Sequence, residues 1–178
     1  MTRRLSARSL VAVSTIAILS ACVVNLSFDM KKQFQLKSPD GSPNSISQSQ
    51  LVDLSQYKEI ADHKASIKSL DLDYAEVTVT AINAGNQAHK VISGSLKLRQ
   101  NLTDLDHDIP VGALTNFPIA LNSSTRLNGT PTLDAFLFQM LQTQSKFYAI
   151  IEGQIDGAAD VAIEVNMHAS IGYDAGVL

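Results

Sequence analysis

Residues 161–171, VAIEVNMHASI, are apolar at every odd position and, after Ala162, polar at every even position. This period of two places alternate side chains on one face, as in a half-buried β-strand. The preceding apolar run, residues 147–155, predicts a second strand, and Asp156-Gly157 between them has the composition of a tight turn. The stretch therefore predicts a C-terminal pair of strands in a mainly β domain.

Alternating patterns also predict strands nearer the N-terminus. Within residues 25–36 every even position except Lys32 is apolar, and residues 70–81 carry apolar side chains first at even and then at odd positions. Because a one-residue shift turns every side chain to the other face, we expect a bulge or turn near Ala75-Glu76. A turn at residues 83–86 and an apolar strand pattern over residues 91–99 follow, which together predict a meander.

Three other stretches interrupt this pattern. Residues 37–50, KSPDGSPNSISQSQ, contain two Pro, one Gly and five Ser and predict a surface loop. Residues 53–64 have apolar side chains at helical spacing and predict a short helix. Within residues 109–127, Pro110 and Pro118 lack a backbone N–H, so we expect the strands there to be kinked or at sheet edges.

Thr130-Pro131 begins the strongest helix signal in the chain, because threonine caps helices and proline fits the first helical position. The apolar side chains that follow form one helical stripe: Leu133, Phe136, Leu137, Met140 and Leu141. Together with the strands, this helix predicts an antiparallel β-sandwich of about seven or eight strands with one packed amphipathic helix.

The N-terminal segment has a different composition from the rest of the chain. Residues 1–21, MTRRLSARSLVAVSTIAILSA, contain three Arg and no acidic residue, and an apolar run extends from Leu10 to Leu19. This order is typical of a cleaved secretory signal peptide, and the run is shorter than the ~20 residues of a membrane-spanning helix. We therefore expect one exported, β-rich domain at residues 22–178.

The segment ends in Leu19-Ser20-Ala21-Cys22, which resembles the lipobox of bacterial lipoproteins. The resemblance implies that Cys22 becomes the first residue, with a diacylglyceryl thioether on sulfur and an acyl chain such as palmitate on nitrogen. Two or three acyl chains make a durable membrane anchor. Val23 follows where an Asp marks inner-membrane retention in Gram-negative lipoproteins, so the resemblance implies anchoring to the outer membrane, facing the periplasm or the cell surface.

Composition limits the function of the exported domain. Removing residues 1–21 from the 178 leaves 157 residues and changes the net charge from −3 to −6, because three arginines are lost. An acidic chain without a basic stripe is repelled by phosphates, so we expect no nucleic-acid partner. Once the sole cysteine carries lipid, the domain has no thiol for disulfides or catalysis.

One acidic stretch is a candidate metal site. Asp104, Asp106 and Asp108 alternate in the sequence NLTDLDHDIP, and calcium prefers such oxygen ligands. An EF-hand does not fit, because Ile109 takes the place of its glycine and Thr115 that of its bidentate glutamate. A calcium loop of another kind and a solvated hairpin turn both remain open.

No motif of catalysis is present: the four histidines have no zinc-site spacing, and the chain lacks a nucleophile elbow and a phosphate-binding loop. We therefore expect no enzyme and no cofactor. The sequence favours a lipid-anchored envelope protein whose β domain binds or scaffolds an envelope protein partner. The alternative is a carrier of a lipid or other hydrophobic ligand, in which the helix stripe covers an apolar cavity.

Overall fold

The computed structural model describes residues 23–38 and 44–176, so Cys22 and the signal segment lie outside the described residues. The described part contains nine strands: β1 (Val23–Lys37), β2 (Ser45–Asp53), β3 (Ile67–Ile82), β4 (Lys90–Arg99), β5 (Ile109–Ala113), β6 (Phe117–Pro118), β7 (Ser124–Asn128), β8 (Lys146–Ile155) and β9 (Asp160–Asp174). It also contains a 3₁₀ turn, Leu54–Gln56, and the helices α1 (Lys58–His63) and α2 (Pro131–Thr143).

The strands form two antiparallel sheets with one apolar core between them. Sheet A has the order β1-β9-β3-β7, and sheet B has the order β2-β8-β4-β5, with β6 also paired to β4. Inward side chains of both sheets and of α2 belong to the same buried cluster. The predicted mainly β sandwich with one packed amphipathic helix is confirmed.

The two halves of the chain pair with each other from their ends inward. β1 pairs with β9, β2 with β8, β3 with β7, and β4 with β5 and β6. This ribbon is rolled so that β9 also pairs with β3 and β8 with β4, which completes the sheets. The resulting strand order is that of a jelly roll, a two-sheet architecture built from Greek keys.

The rolled ribbon corrects two predicted strand pairings. The strands over residues 147–155 and 161–171 do not form a hairpin, because β8 lies in sheet B and β9 in sheet A. The predicted meander is wrong for the same reason, since β3 and β4 also lie in different sheets. In both cases the turn residues reverse the chain direction, but the next strand joins the other sheet. The turn residues alone do not distinguish this crossover from a hairpin.

A bulge in β3 keeps both of its halves packed on the core. The pairing of β3 with β9 shifts between Leu72 and Tyr74, and the buried positions change there from Leu70 and Leu72 to Ala75 and Val77. The predicted irregularity is therefore present, two residues before Ala75-Glu76, and the strand continues through it without a turn.

The prediction of a surface loop over residues 37–50 is wrong in its second half, where β2 begins at Ser45. Ile46 and Val52 are buried, whereas the outward positions between them carry serine or leucine. A strand with so few apolar residues has the composition of a loop. Its partner β8, about 100 positions further along the chain, supplies the ladder that makes it a strand.

α2 completes the edge of sheet A where β7 ends. Thr130 caps the helix as predicted, because its hydroxyl oxygen accepts a hydrogen bond from the Leu133 N–H at 3.3 Å. The Asp134 carboxylate accepts a hydrogen bond from the Leu72 N–H at 2.9 Å, and the Gly129 N–H donates to the Asp73 carbonyl at 3.1 Å. The helix and Gly129, which precedes it, thus supply hydrogen-bond partners for backbone groups of β3 at the point where β7 ends.

The two prolines lie in edge strands, as predicted. β5, which contains Pro110, is the last strand of sheet B, and β6, which contains Pro118, pairs only with the end of β4. Because the outer side of an edge strand needs no ladder donor, the missing N–H groups cost no strand pairing.

Gly129→Ala tests the close approach between α2 and β3. A Cβ at position 129 would lie 1.5 Å from the Leu72 carbonyl oxygen, so the substitution must separate the helix from the strand. We expect the free energy of unfolding in urea to fall by about 3 kcal/mol or more. Gly85→Ala is the matched control, because its nearest neighbour would lie at 3.4 Å, and an equal loss in both variants would contradict this account.

Candidate functional site

The sandwich has two ends, which we name after residues of β1. At the Val23 end, Val23 lies opposite Asp174 in sheet A and Asp53 lies opposite Lys146 in sheet B. Residues 54–66 connect the two sheets at this end. Cys22, the candidate lipidation site, immediately precedes Val23 in the sequence. The opposite Lys37 end contains the connections that follow β1, β3 and β8.

Exposed large apolar side chains among the described residues fall into two groups. Four belong to strands or loops at or near the Val23 end: Val23, Leu51, Leu102 and Leu105. Three belong to the Lys37 end: Ile82, Ile92 and Leu121. Leu105 and Leu121 are the most exposed residues of their groups, at 69% and 59%. Two separate surfaces are therefore available for contacts.

An ionic cluster fixes the β4–β5 loop, residues 100–108, on the outer face of sheet B. The Arg99 guanidinium donates two hydrogen bonds to the Asp108 carboxylate, at 2.5 and 2.9 Å, and a third to the Leu102 carbonyl at 3.2 Å. Lys97 lies 3.2 Å from Asp108 and also pairs with Glu152 of β8. Arg99 is buried, and its hydrogen bonds to Asp108 and Leu102 hold both ends of the loop against sheet B.

The three predicted calcium ligands do not converge. The carboxylate of Asp108 points to Arg99 and Lys97, while Asp104 lies 2.7 Å from the Nδ1 atom of His107. Within residues 23–38 and 44–176, no group of three or more His, Cys, Asp or Glu side chains is arranged to hold a metal ion. The calcium hypothesis for Asp104, Asp106 and Asp108 receives no support from this geometry and stays a prediction.

Hydrogen bonding explains the electrostatics of the loop. The Arg99 guanidinium lowers the pKa of the Asp108 carboxyl, and this effect outweighs the opposing effect of burial. In the same way, the hydrogen bond to Asp104 raises the pKa of His107. The Asp108 carboxylate is thus paired with cations of β4, and the Asp104 carboxylate is paired with His107 inside the loop.

A cleft of about 380 Å³ separates this loop from α2. Ile109, Phe136 and Met140 line its apolar part, and Asp104 and His107 line its polar part. The volume is at the low end of the range for small-molecule pockets. The cleft thus belongs to the surroundings of the β4–β5 loop.

The helix stripe does not line an apolar cavity of the kind expected for a lipid carrier. Leu133, Leu137 and Met140 have no exposed surface, and Leu141 is 2% exposed. Two stripe residues, Phe136 and Met140, border only the cleft beside the β4–β5 loop, whose volume is at the low end of the range for small-molecule pockets. These residues pack directly against the inner side chains of the sheets.

The outer face of sheet A carries a second polar cluster. The Nδ1 atom of His168 lies 2.8 Å from Asp29, and its ring stacks on Tyr74 with the ring centres 5.0 Å apart. The Arg126 guanidinium also lies over the Tyr74 ring, 3.4 Å from its centre. The hydrogen bond from His168 lowers the pKa of Asp29. Sequence analysis missed this cluster, because Asp29 and His168 become neighbours only through the β1–β9 register.

No helix among the described residues is long and apolar enough to span a membrane. No protein-family model matches the chain, and no curated protein matches it by sequence.

Solved structures with a similar fold are viral proteins. The decameric BFDV capsid protein has a TM-score of 0.47 and 11% identity, over 84% of this chain and 99% of the capsid protein. Desmodium yellow mottle tymovirus has a TM-score of 0.38 and 9% identity, over 97% of this chain and 98% of the viral chain. The likeness concerns the fold alone.

Asp108→Asn tests the ion pair between Arg99 and Asp108, which holds the β4–β5 loop. The substitution leaves the buried Arg99 without its charged partner, so we expect the free energy of unfolding at pH 7 to fall by about 2–3 kcal/mol. Because the pKa of Asp108 is lowered by folding, its contribution is present above the unfolded value of about 3.9 and is lost as the pH falls through the folded value. The difference between wild type and variant therefore shrinks below about pH 4.

Urea titrations at pH 7 and pH 3 measure both effects. Asp106→Asn is the control in the same loop and should change stability by less than about 0.5 kcal/mol. A similar loss in both variants, or a difference that is independent of pH, would contradict the role assigned to Asp108.

Proposed function

We propose that this protein is a lipid-anchored lipoprotein of the bacterial cell envelope whose non-enzymatic β domain binds or scaffolds a protein partner. The carrying observation is the position of Cys22: a lipobox cysteine that directly precedes a strand at one end of a rigid sandwich. Since consecutive Cα atoms are about 3.8 Å apart, almost no tether separates the lipid from the domain. Such an anchor holds the Val23 end at the membrane.

We also propose that this membrane is the outer membrane, facing the periplasm or the cell surface. The support is Val23 itself, which occupies the position next to the lipidated cysteine and is not the aspartate typical of inner-membrane retention. Lipid on Cys22 anchors the domain without a membrane-spanning segment.

The Lys37 end is the surface that we assign to the protein partner. β1 has 15 residues, so this end lies about 50 Å from Val23 along the strand direction. Leu121 is exposed there beside the short edge strand β6 with Pro118, and Ile82 and Ile92 are exposed on neighbouring segments. Exposed apolar side chains and edge strands are common contact elements of protein interfaces.

The carrier function is not favoured, because the helix stripe on which it depends is part of the packed core. Scaffolding needs no internal cavity, no cofactor and no catalytic group. It therefore fits the described residues better than transport of a lipid does.

Cys22→Ala tests the anchor. Without the thiol no thioether can form, so we expect the variant to move from the membrane fraction to the soluble fraction when cells are fractionated. Val23→Ala is the control, because it changes the adjacent residue and leaves the lipidated cysteine intact. Membrane association of Cys22→Ala at the wild-type level would refute the anchor.

Photo-crosslinking at the Lys37 end tests the partner surface. A photo-reactive amino acid at Leu121 should give one specific adduct in intact cells, because this exposed side chain lies on the proposed contact surface. The same amino acid at Gln33, exposed on the outer face of sheet A, serves as the control. Identical patterns of abundant proteins at both positions would argue against a partner at this end.

A further inference from the structure

We infer that the outer face of sheet B lies against the lipid bilayer near the Val23 end, with Leu51, Leu102 and Leu105 in the headgroup region. The inference rests on the proposed function, because it assumes that Cys22 carries the lipid. It adds a second contact between the domain and the membrane and thereby an orientation of the sandwich.

The three leucines share one face of the molecule. Leu51 lies opposite Tyr148, and Tyr148 lies opposite Arg99 on the other side, so these outward positions form one row across sheet B. Leu51, the member of this row on β2, lies two residues before Asp53, where β2 ends at the Val23 end. Arg99 binds the Leu102 carbonyl, and Leu102 and Leu105 line a depression on this outer face together with Ile150.

Val23, the first described residue, belongs to β1, which contacts β2 of sheet B. β1 and β2 are the first strands of sheet A and sheet B, and they lie on the same side of the sandwich. The row from β2 to β4 spans two strand spacings, about 10 Å. A lipid on Cys22 therefore places the bilayer beside Val23 and within a short distance of the leucines.

The leucines are held in place before any contact forms. The Arg99–Asp108 ion pair closes the β4–β5 loop, and the Asp104 N–H donates to the Asn101 carbonyl at 3.0 Å inside it. A rigid loop loses little conformational entropy when it binds. Since the anchor already confines the domain to the surface, even a weak contact of this kind is populated.

The charges of the loop are compatible with headgroup depth. Asp108 is ion-paired with Arg99 and Lys97, and Asp104 lies 2.7 Å from the Nδ1 atom of His107, so two of the three loop carboxylates have polar partners in the protein. Asp106 limits the depth, because a carboxylate is costly in hydrocarbon but tolerated among headgroups. The position of the proposed anchor therefore favours a lipid surface as the contact of Leu51, Leu102 and Leu105.

Site-specific fluorescence on the full-length lipidated protein tests this orientation. The thioether blocks Cys22, so a single introduced cysteine takes a polarity-sensitive fluorophore. Leu102→Cys and Leu105→Cys report the proposed contact, and Ile92→Cys is the matched control at the Lys37 end, because Leu102 and Ile92 are 44% and 43% exposed. The protein is reconstituted into phosphatidylcholine vesicles that contain a nitroxide-labelled lipid.

We expect a blue-shifted emission and at least about threefold stronger nitroxide quenching at positions 102 and 105 than at position 92. Equal, weak quenching at all three positions would overturn the inference, as would shielding of positions 102 and 105 only after envelope proteins are added. Flotation of the same vesicles separates the two proposals. Protein that does not float refutes the lipid anchor, whereas protein that floats with all probes in water refutes the orientation alone.

Discussion

The pairing of β1 with β9 is the interaction on which the rest of the structure depends. It joins the two ends of the described chain over the full length of β1, from Val23 opposite Asp174 to Lys37 opposite Asp160. β9 then supplies the inner strand of sheet A, and its six odd-numbered side chains from Val161 to Ile171 are buried in the core. Because the first strand meets the last, each following pair is nested inside it, and the ribbon must roll to bury its apolar face.

This nesting explains which features the sequence can predict. Periodicity identifies β9 and β1, the stripe and cap identify α2, and the change of parity identifies the bulge in β3, because each signal lies within one segment. The pairing partners lie far apart in the chain, as β2 and β8 do, and no local pattern records them. Turn residues such as Asp156-Gly157 predict a reversal, but a hairpin and a crossover between sheets use the same turn chemistry.

The same distinction applies to the candidate sites. The resemblance to a lipobox is a local pattern, so the sequence alone is enough to propose Cys22 as the lipidated residue, whereas the Arg99–Asp108 pair and the Asp29–His168 contact depend on loop closure and strand register. Asp108 is instructive, because its position among alternating aspartates favours a metal ligand. In the folded protein the Arg99 guanidinium and the Lys97 ammonium bind that carboxylate, and the alternation of aspartates contains no sign of these two partners.

If Cys22 carries lipid, as proposed, the short link between the lipid and the first strand restricts the orientation of the domain at the membrane. A domain on a long flexible linker samples all directions, and the location of its exposed leucines relative to the membrane then carries no information. Here the strand that follows Cys22 runs the length of the sandwich, so anchoring Cys22 defines a near and a far end. The two groups of exposed apolar side chains lie at these two ends, so the proposed lipid contact and the proposed protein contact occupy separate places on the sandwich.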